Sequence, residues 1–465
     1  MNDSINKHIC ALERCYTYLF TKKNSLGHIK YIEELHNRAQ SIVSITSKLI
    51  KQEESNNSTI LPQKQIYDLK TVYSDKHIKA CYVCRRSIHT QHNHYTHMCM
   101  LCGHINWHKR IATKKMKGVN AVVTGGRIKI GFETATRLLR CGCNVIISTR
   151  FADDALERYK AEPDFEDWKE RLYIVQVNFL TIASTKKFIQ FVMSTFTTLD
   201  ILINNAAQTI KRVAEFYKNE MTKQIDDTDN NIKLLIDTDL RIESIKDEYL
   251  RQVENTIPDT TSNIVLDTSD TNKEMSLVAL AAHKDDIKDV TKYTEYVQKI
   301  FPEGKLDEFG QQMDMSPVNS WVLEIGDIDI RECAEVHLIN SITPFTLISA
   351  LIPIMKRQGD HFSWIINVSS MEGCFNRKKS ACHPHTNMAK ASLNMMSRTA
   401  AGTLIKDHIV LCSVDTGWNN NQMPKGYDAK TPVDCVDGAA RILDPIFREL
   451  KKPGVFYKDF MEHDW

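Results

Sequence analysis

The chain has 465 residues, of which 42% are hydrophobic and 25% charged, and its formal net charge is +2. Such a composition excludes a largely disordered or fibrous chain and leaves room for one large domain with a smaller companion. Apolar runs of about 18 residues are not apparent, and the first ten residues, MNDSINKHIC, are polar, so neither a membrane span nor a secretory signal is expected. The 13 cysteines occur singly or as CxxC pairs, which suits a reducing compartment, and a cytoplasmic location is expected. The near-neutral total conceals two charged blocks. Residues 1–118 carry 19 basic against 8 acidic residues, and residues 220–308 carry 11 against 21. These are two solvated faces, or surfaces that dock on each other or on charged partners.

In chain order, apolar residues at helical spacing (Ile29, Ile32, Leu35, then Ile42, Ile45, Leu49) predict a helical hairpin over 1–52, followed by a polar linker at 52–58. Residues 1–70 are thus expected to be a helical N-terminal region. Residues 76–110 form a Cys/His-rich module. Cys81 and Cys84, then Cys99 and Cys102, are two CxxC pairs separated by fourteen residues. That spacing suits two knuckles presenting four thiolates to a tetrahedral, structural Zn²⁺. A redox pair or unliganded thiols are the alternatives. His89, His92, His94, His97, His104 and His108 read as loop residues, any of which can replace a cysteine. The basic neighbours Arg85, Arg86, Lys109, Arg110, Lys114, Lys115 and Lys117 can contact phosphates, but without an interleaved aromatic pattern nucleic acid is the lesser expectation.

From Val119 onward, short apolar segments alternate with amphipathic ones. Strands are predicted near 119–124, 144–149, 172–177, 200–204, 362–368, 408–414 and 453–456, with helices between them. Repeated βαβ units imply an α/β fold, a Rossmann-type doubly wound parallel sheet covered on both faces, occupying 117–465. An Asp/Asn/Thr/Lys-rich insertion at about 220–312 interrupts the rhythm, with helices expected at 239–254 or 284–300 and the rest mobile. It leaves the sheet after Asn205, at the carboxyl end of the fourth strand, where open α/β sheets bind ligands. It is therefore either a lid or partner-binding arm over the substrate site, or a disordered loop that happens to emerge there.

The first strand runs into the glycine-rich turn Thr124-Gly125-Gly126-Arg127-Ile128-Lys129-Ile130-Gly131. Strand, tight turn and helix N-terminus aim free backbone amides and the positive end of a helix dipole at a diphosphate. Gly125 and Gly131 permit close approach of backbone to the ligand. At the end of the second strand stands Arg150, with no acidic residue beside it, which suits the 2′-phosphate of NADP(H) over the free ribose of NAD(H), with Arg127 as a second cation.

Taken together, these segments resemble the short-chain dehydrogenase/reductase family from about Val119 to the C-terminus. The family's TGxxxGxG loop corresponds to Thr124, Gly125 and Gly131, with Lys129 in place of the middle glycine. NNAG appears as Asn204-Asn205-Ala206-Ala207, the helix asparagine as Asn340, the serine strand as Ile365 to Ser370, and YxxxK as Thr386 to Lys390. The resemblance implies Asn178, Asn205 and Ala206 beside adenine and ribose, with Thr124, Gly126, Arg127 and Ile130 completing the nucleotide loop. It implies Ser370 polarising a substrate oxygen, Lys390 on the nicotinamide ribose and Asn340 holding a relay water. Thr386 stands in place of the family's tyrosine, as in a branch that carries threonine there, and His383 or His385 can supply the proton instead. Trp418, Met423 and Tyr427 fall where the family carries a substrate-covering loop.

The expected activity is hydride transfer between NADP(H) and a small-molecule carbonyl, alcohol or enoyl substrate in a homo-oligomer. The alternative is a catalytically weak NADP-binding scaffold or sensor that engages a protein partner through the zinc module or the insertion.

Overall fold

The computed structural model of the protein describes residues 80–88, 92–221, 233–235, 290–419, 422–425 and 430–465. The predicted hairpin over 1–52 and the predicted helix at 239–254 lie outside these residues. A nine-stranded sheet in the order β5-β3-β2-β1-β4-β6-β7-β8-β9 forms the centre. Its strands are β1 (Asn120–Thr124), β2 (Asn144–Thr149), β3 (Leu172–Gln176), β4 (Ile201–Asn204), β5 (Lys233–Leu235), β6 (Ser363–Ser369), β7 (Ile409–Asp415), β8 (Phe456–Lys458) and β9 (Met461–His463). All neighbouring pairs are parallel except β8–β9.

Because successive strand residues face opposite sides, each apolar strand feeds two cores. On one side, Ala121, Val123, Val145, Ile147 and Ile203 pack with Leu138 and Leu139 of α2 (Lys129–Arg140) and Ile442, Leu443 and Ile446 of α8 (Cys435–Phe447). Also over this face is α3 (Ala152–Lys160), which contributes Leu156 and Tyr159. On the other side, Val122, Ile146, Leu202 and Ile365 pack with α4 (Ile182–Thr195), the end of α6 (Ile330–Met355) and α7 (Pro384–Leu404).

Helix α6 is the run Ile330–Met355, which contains one π-helical turn at Leu338–Ile342. By length and composition this run is long and apolar enough to cross a membrane, which the reading of apolar runs did not register. Here Leu347, Ile348, Leu351 and Met355 lie in the core between α4 and the sheet.

Six strands match their predicted segments, and the seventh, predicted at 453–456, shares only Phe456 with β8. Gly454, with φ +68°, turns the chain and donates its amide to the Leu411 carbonyl, so pairing with β7 begins at Phe456. The edge strands β5 and β9 carry too few residues to show a period. Of the predicted insertion, residues 220–221, 233–235 and 290–312 are described: β5, which adds to the sheet beside β3, then α5 (Val290–Ile300) and a return leg that reaches α6 by Asp329.

The cysteine module seats α1 (Met100–Ile111) against α8. Arg110 pairs with Asp434 (2.6 Å) and Asp437 (2.9 Å), and Lys109 pairs with Asp444 (2.9 Å). Buried Arg441 donates to Asn106. Lys109 and Arg110, which had been weighed as phosphate contacts, are therefore buried between two parts of the same chain. Among the described residues, the carboxylates that pair with Lys109 and Arg110 lie on α8 and at its N-cap.

Candidate active site

A cavity of about 560 Å³ runs along the carboxyl ends of β1, β2 and β4. Gly125, Arg127, Ile130, Gly131, Arg150, Asn178, Asn205 and Ala206, all expected at the nucleotide, line it. Thr124 and Gly126 stand behind them. The Thr124 hydroxyl accepts the amides of Asn205 and Ala206, both at 2.9 Å, and Asn205 Nδ2 donates to the carbonyls of Thr124 (3.0 Å) and Gly125 (3.2 Å). Thus the motif after β4 locks the glycine turn after β1. A side chain at Gly131 is sterically impossible, since its Cβ would lie 2.0 Å from the Gly125 carbonyl oxygen. The first amides of α2 have no partner within the helix and face this space.

Lys129 takes the left-handed conformation (φ +56°) that glycine adopts most easily. Its ammonium lies 4.0 Å from Asp307 and 5.0 Å from the centre of the Phe309 ring, directed to the return leg. Arg127 is buried and paired with Asp154, with Glu220 at 3.7 Å. Its expected share in 2′-phosphate binding is thus taken up by an internal ion pair. Arg158 also pairs with Asp154. Arg150, in contrast, has no carboxylate partner among the described residues, and its guanidinium lies over the Tyr217 ring, 4.4 Å from the centroid.

The return leg roofs this cavity with Asp307, Gln311, Gln312, Asp314 and Asn319. It is held by Arg158 donating to the Phe309 carbonyl (2.6 Å) and by the Arg212–Asp314 pair (2.8 Å). Asn319 Nδ2 donates to the Gln422 carbonyl and Lys425 N to the Ser316 carbonyl, joining the leg to the segment after β7. Nothing in the sequence marks Tyr217, Asp307 or Asp314 as parts of the site, since each is one polar or aromatic residue among many.

The residues expected to carry chemistry, Asn340, Ser370, Thr386 and Lys390, are not among those that line this cavity. Asn340, in the π-turn of α6, accepts the Gln208 amide (2.8 Å) and donates to the Gln208 carbonyl (2.7 Å), so both ends of its side chain clamp the backbone after β4. Ser370 follows β6 and closes the turn Met371–Gly373 through its carbonyl. Gly373 presses this turn onto α7, where a Cβ would lie 2.6 Å from the Lys390 carbonyl oxygen. Lys390 is buried and donates to the Val368 carbonyl at 2.9 Å, and burial lowers its pKa to about 8.

Thr386 is buried one turn earlier on α7, with its hydroxyl 3.4 Å from His385 Nε2. His385 Nε2 also lies 3.1 Å from the Thr209 carbonyl, and its Nδ1 is buried without a partner among the described residues. The carbonyl can only accept, so the Nε2 proton faces it and Nδ1 is the unprotonated nitrogen. Burial holds His385 below the usual histidine range. The two histidines are thereby separated. His383 stacks on Trp321 (4.3 Å, 9° between planes) and bonds its carbonyl through Nδ1, fixing the end of the return leg, while His385 adjoins Thr386.

In the cysteine module the four sulfurs of Cys81, Cys84, Cys99 and Cys102 lie within 4.8 Å of one another, and Cys84 and Cys99 are 3.9 Å apart. Four sulfurs about 2.3 Å from one tetrahedral ion would be about 3.8 Å apart, so the donor set fits Zn²⁺. His92 and His104 stay outside the cluster. Burial lowers them to about 3 and about 4, and His92 Nδ1 accepts the Tyr95 amide.

Residues 119–237 match the short chain dehydrogenases, and residues 267–440 match the family described as enoyl-(acyl carrier protein) reductase. The chain belongs to the short-chain dehydrogenase/reductase family. Over 412 residues it is 28% identical to an uncharacterized protein of Acanthamoeba polyphaga mimivirus, covering 84% of this chain and 75% of that one. Over 110 residues it is 34% identical to a (+)-neomenthol dehydrogenase of Capsicum annuum, covering 21% of this chain and 34% of that one. Among solved structures it is similar to an NADPH-bound carbonyl reductase from chicken fatty liver. There the identity is 16% over 75% of this chain and 100% of that one, with a TM-score of 0.43.

Proposed function

We propose that the protein is an NADP(H)-preferring oxidoreductase that interconverts a small carbonyl or enoyl compound and its reduced form. The observation that carries this reading is the cavity in which the glycine turn leaves backbone open to a diphosphate while Arg150 has no carboxylate partner among the described residues. The bound dinucleotide supplies hydride exchange at its nicotinamide.

The chain's own residues do the rest. Arg150 takes the 2′-phosphate by charge-assisted hydrogen bonds. Asn205 and Ala206 border the ribose, and Asn178 lies on the adenine side. Lys390 holds the nicotinamide ribose, and Ser370 donates a hydrogen bond to the substrate oxygen. The proton passes at the Thr386 hydroxyl; an aliphatic alcohol alone is too weak an acid or base near neutral pH, and His385 can renew the proton when it is doubly protonated, giving up Nε2–H and keeping Nδ1–H. The return leg excludes water from the cleft, and Zn²⁺ on the four cysteines is structural. Homo-oligomer formation and a cytoplasmic location complete the proposal.

The test is oxidation of NADPH, followed by absorbance, against a panel of aldehydes, ketones and enones. Turnover that is lost in Thr386→Val while cofactor binding remains supports it. NADPH binding without turnover on any class would favour the scaffold or sensor reading.

A further inference from the structure

The cysteine module remains unexplained by hydride transfer, since its four thiols leave a tetrahedral ion no open position. Its contacts nevertheless lead to the catalytic turn. Tyr82 lies inside the first knuckle, between Cys81 and Cys84, and its hydroxyl oxygen accepts the backbone amide of Trp418 at 2.8 Å. Trp418 sits immediately after β7, at the carboxyl end of the sheet where ligands bind. The adjoining Asp415 ends β7 and divides its carboxylate. One oxygen accepts the Gly417 amide at 2.6 Å and the other accepts the Met371 amide at 2.9 Å. Met371 is the neighbour of Ser370. Lys458 of β8 lies 3.5 Å from the same carboxylate and balances its charge.

We infer that the metal-closed knuckle is a strut of the active site, with Tyr82 as a positioning residue that acts through Trp418, Gly417 and Asp415 on the turn bearing Ser370. The path is short and made of backbone amides on acceptor oxygens, so it fixes main-chain positions and not merely rotamers. The knuckle's own shape depends on its cysteines. Arg85 is left-handed at φ +61°, Cys81 N bonds the Arg86 carbonyl, and Cys99 N donates to Cys81 Sγ at 3.3 Å. Loss of the ion would leave four thiols without the bond that gathers them, and Tyr82 would lose its fixed position. In naming Ser370 as the residue served, the inference rests on the oxidoreductase proposal. The strut itself does not.

Amide hydrogen exchange of the full chain, read by mass spectrometry, tests it in the zinc-loaded protein, the chelator-treated protein and zinc-loaded Tyr82→Phe. Phenylalanine keeps the ring and the cysteines but removes the acceptor for Trp418. Tyr82→Phe should retain one zinc per chain and speed exchange in 371–375 and 416–419 roughly five- to tenfold, with 100–111 and 435–447 unchanged. Chelation should enlarge the same two changes. NADPH affinity of Tyr82→Phe should stay within about twofold of the parent, because the glycine turn lies apart from this path. Unchanged exchange in 371–375 and 416–419 would overturn the strut, and so would equal acceleration throughout α1 and α8, the mark of a merely structural role. Failure of the parent protein to bind NADPH would remove the oxidoreductase reading while leaving the exchange result to judge the strut.

Discussion

The guanidinium of Arg150 lies over the ring of Tyr217, 4.4 Å from its centroid, at the end of β2. An arginine braced on one face by an aromatic ring keeps its fork of donors at the edge, and less rotamer freedom is lost when an anion binds. Arg150→Ala should weaken NADPH about 10- to 100-fold and leave NADH within about twofold, collapsing the preference between them. Parallel binding titrations with both dinucleotides check this. Equal loss for the two would remove Arg150 from the 2′-phosphate.

The Thr386 hydroxyl and His385 Nε2 are 3.4 Å apart in a buried pocket. Thr386→Val should lower turnover at least about 100-fold with little change in NADPH affinity, and His385→Phe should lower it by a comparable factor. His383→Phe, which keeps a ring for Trp321 to stack on, should cost much less. Steady-state kinetics on any active carbonyl substrate decide. Full activity in Thr386→Val would mean that the proton travels elsewhere.

Lys390 supplies a pH signature. Burial depresses its pKa to about 8, so folding favours the neutral amine, and the unfolded chain holds the extra proton between about pH 8 and its ordinary value near 10.5. Stability that is diminished below that window is therefore recovered as pH rises through it, by up to about 3 kcal/mol. Chemical denaturation at about pH 7.5 and about pH 9.5 should show this gain in the parent relative to Lys390→Met. A variant with the same pH dependence would place the titration on other groups.

The roof over the cofactor cavity is latched by Lys129–Asp307 and Arg212–Asp314. Asp307→Asn combined with Asp314→Asn should raise the NADPH dissociation rate about fivefold with a small effect on association. Stopped-flow displacement measures it. An unchanged rate would make the return leg a bystander.

Arg110 joins the cysteine module to α8 through Asp434 and buried Asp437. Arg110→Ala leaves Asp437 without its cation and should destabilise the chain by about 3 kcal/mol. Asp437→Ala in the same background should recover part of that loss. Thermal unfolding of the two variants provides the comparison.

Much of this site is legible in the sequence because its local demands are strict. β1 and β6 carry short apolar runs, at 121–123 and 364–366, of the kind a parallel sheet buries, and Gly131 is required by a contact made within its own turn. What was not legible depends on distant partners. Arg127 and Arg150 look equivalent in sequence, yet Asp154 of α3 claims one and leaves the other to Tyr217. Lys129 at a glycine position makes sense only beside Asp307 and Phe309, which the return leg brings from far along the chain. His383 and His385 lie two residues apart and differ because one meets Trp321 and the other faces Thr209.

The most direct test is a fluorescence titration of the purified, zinc-loaded full chain with NADPH and NADH in parallel. Saturable NADPH binding, at least about tenfold tighter than NADH, is the result predicted from the glycine turn and Arg150. Binding of neither dinucleotide would contradict the account, because the cavity would then be closed to the cofactor on which every proposed step depends.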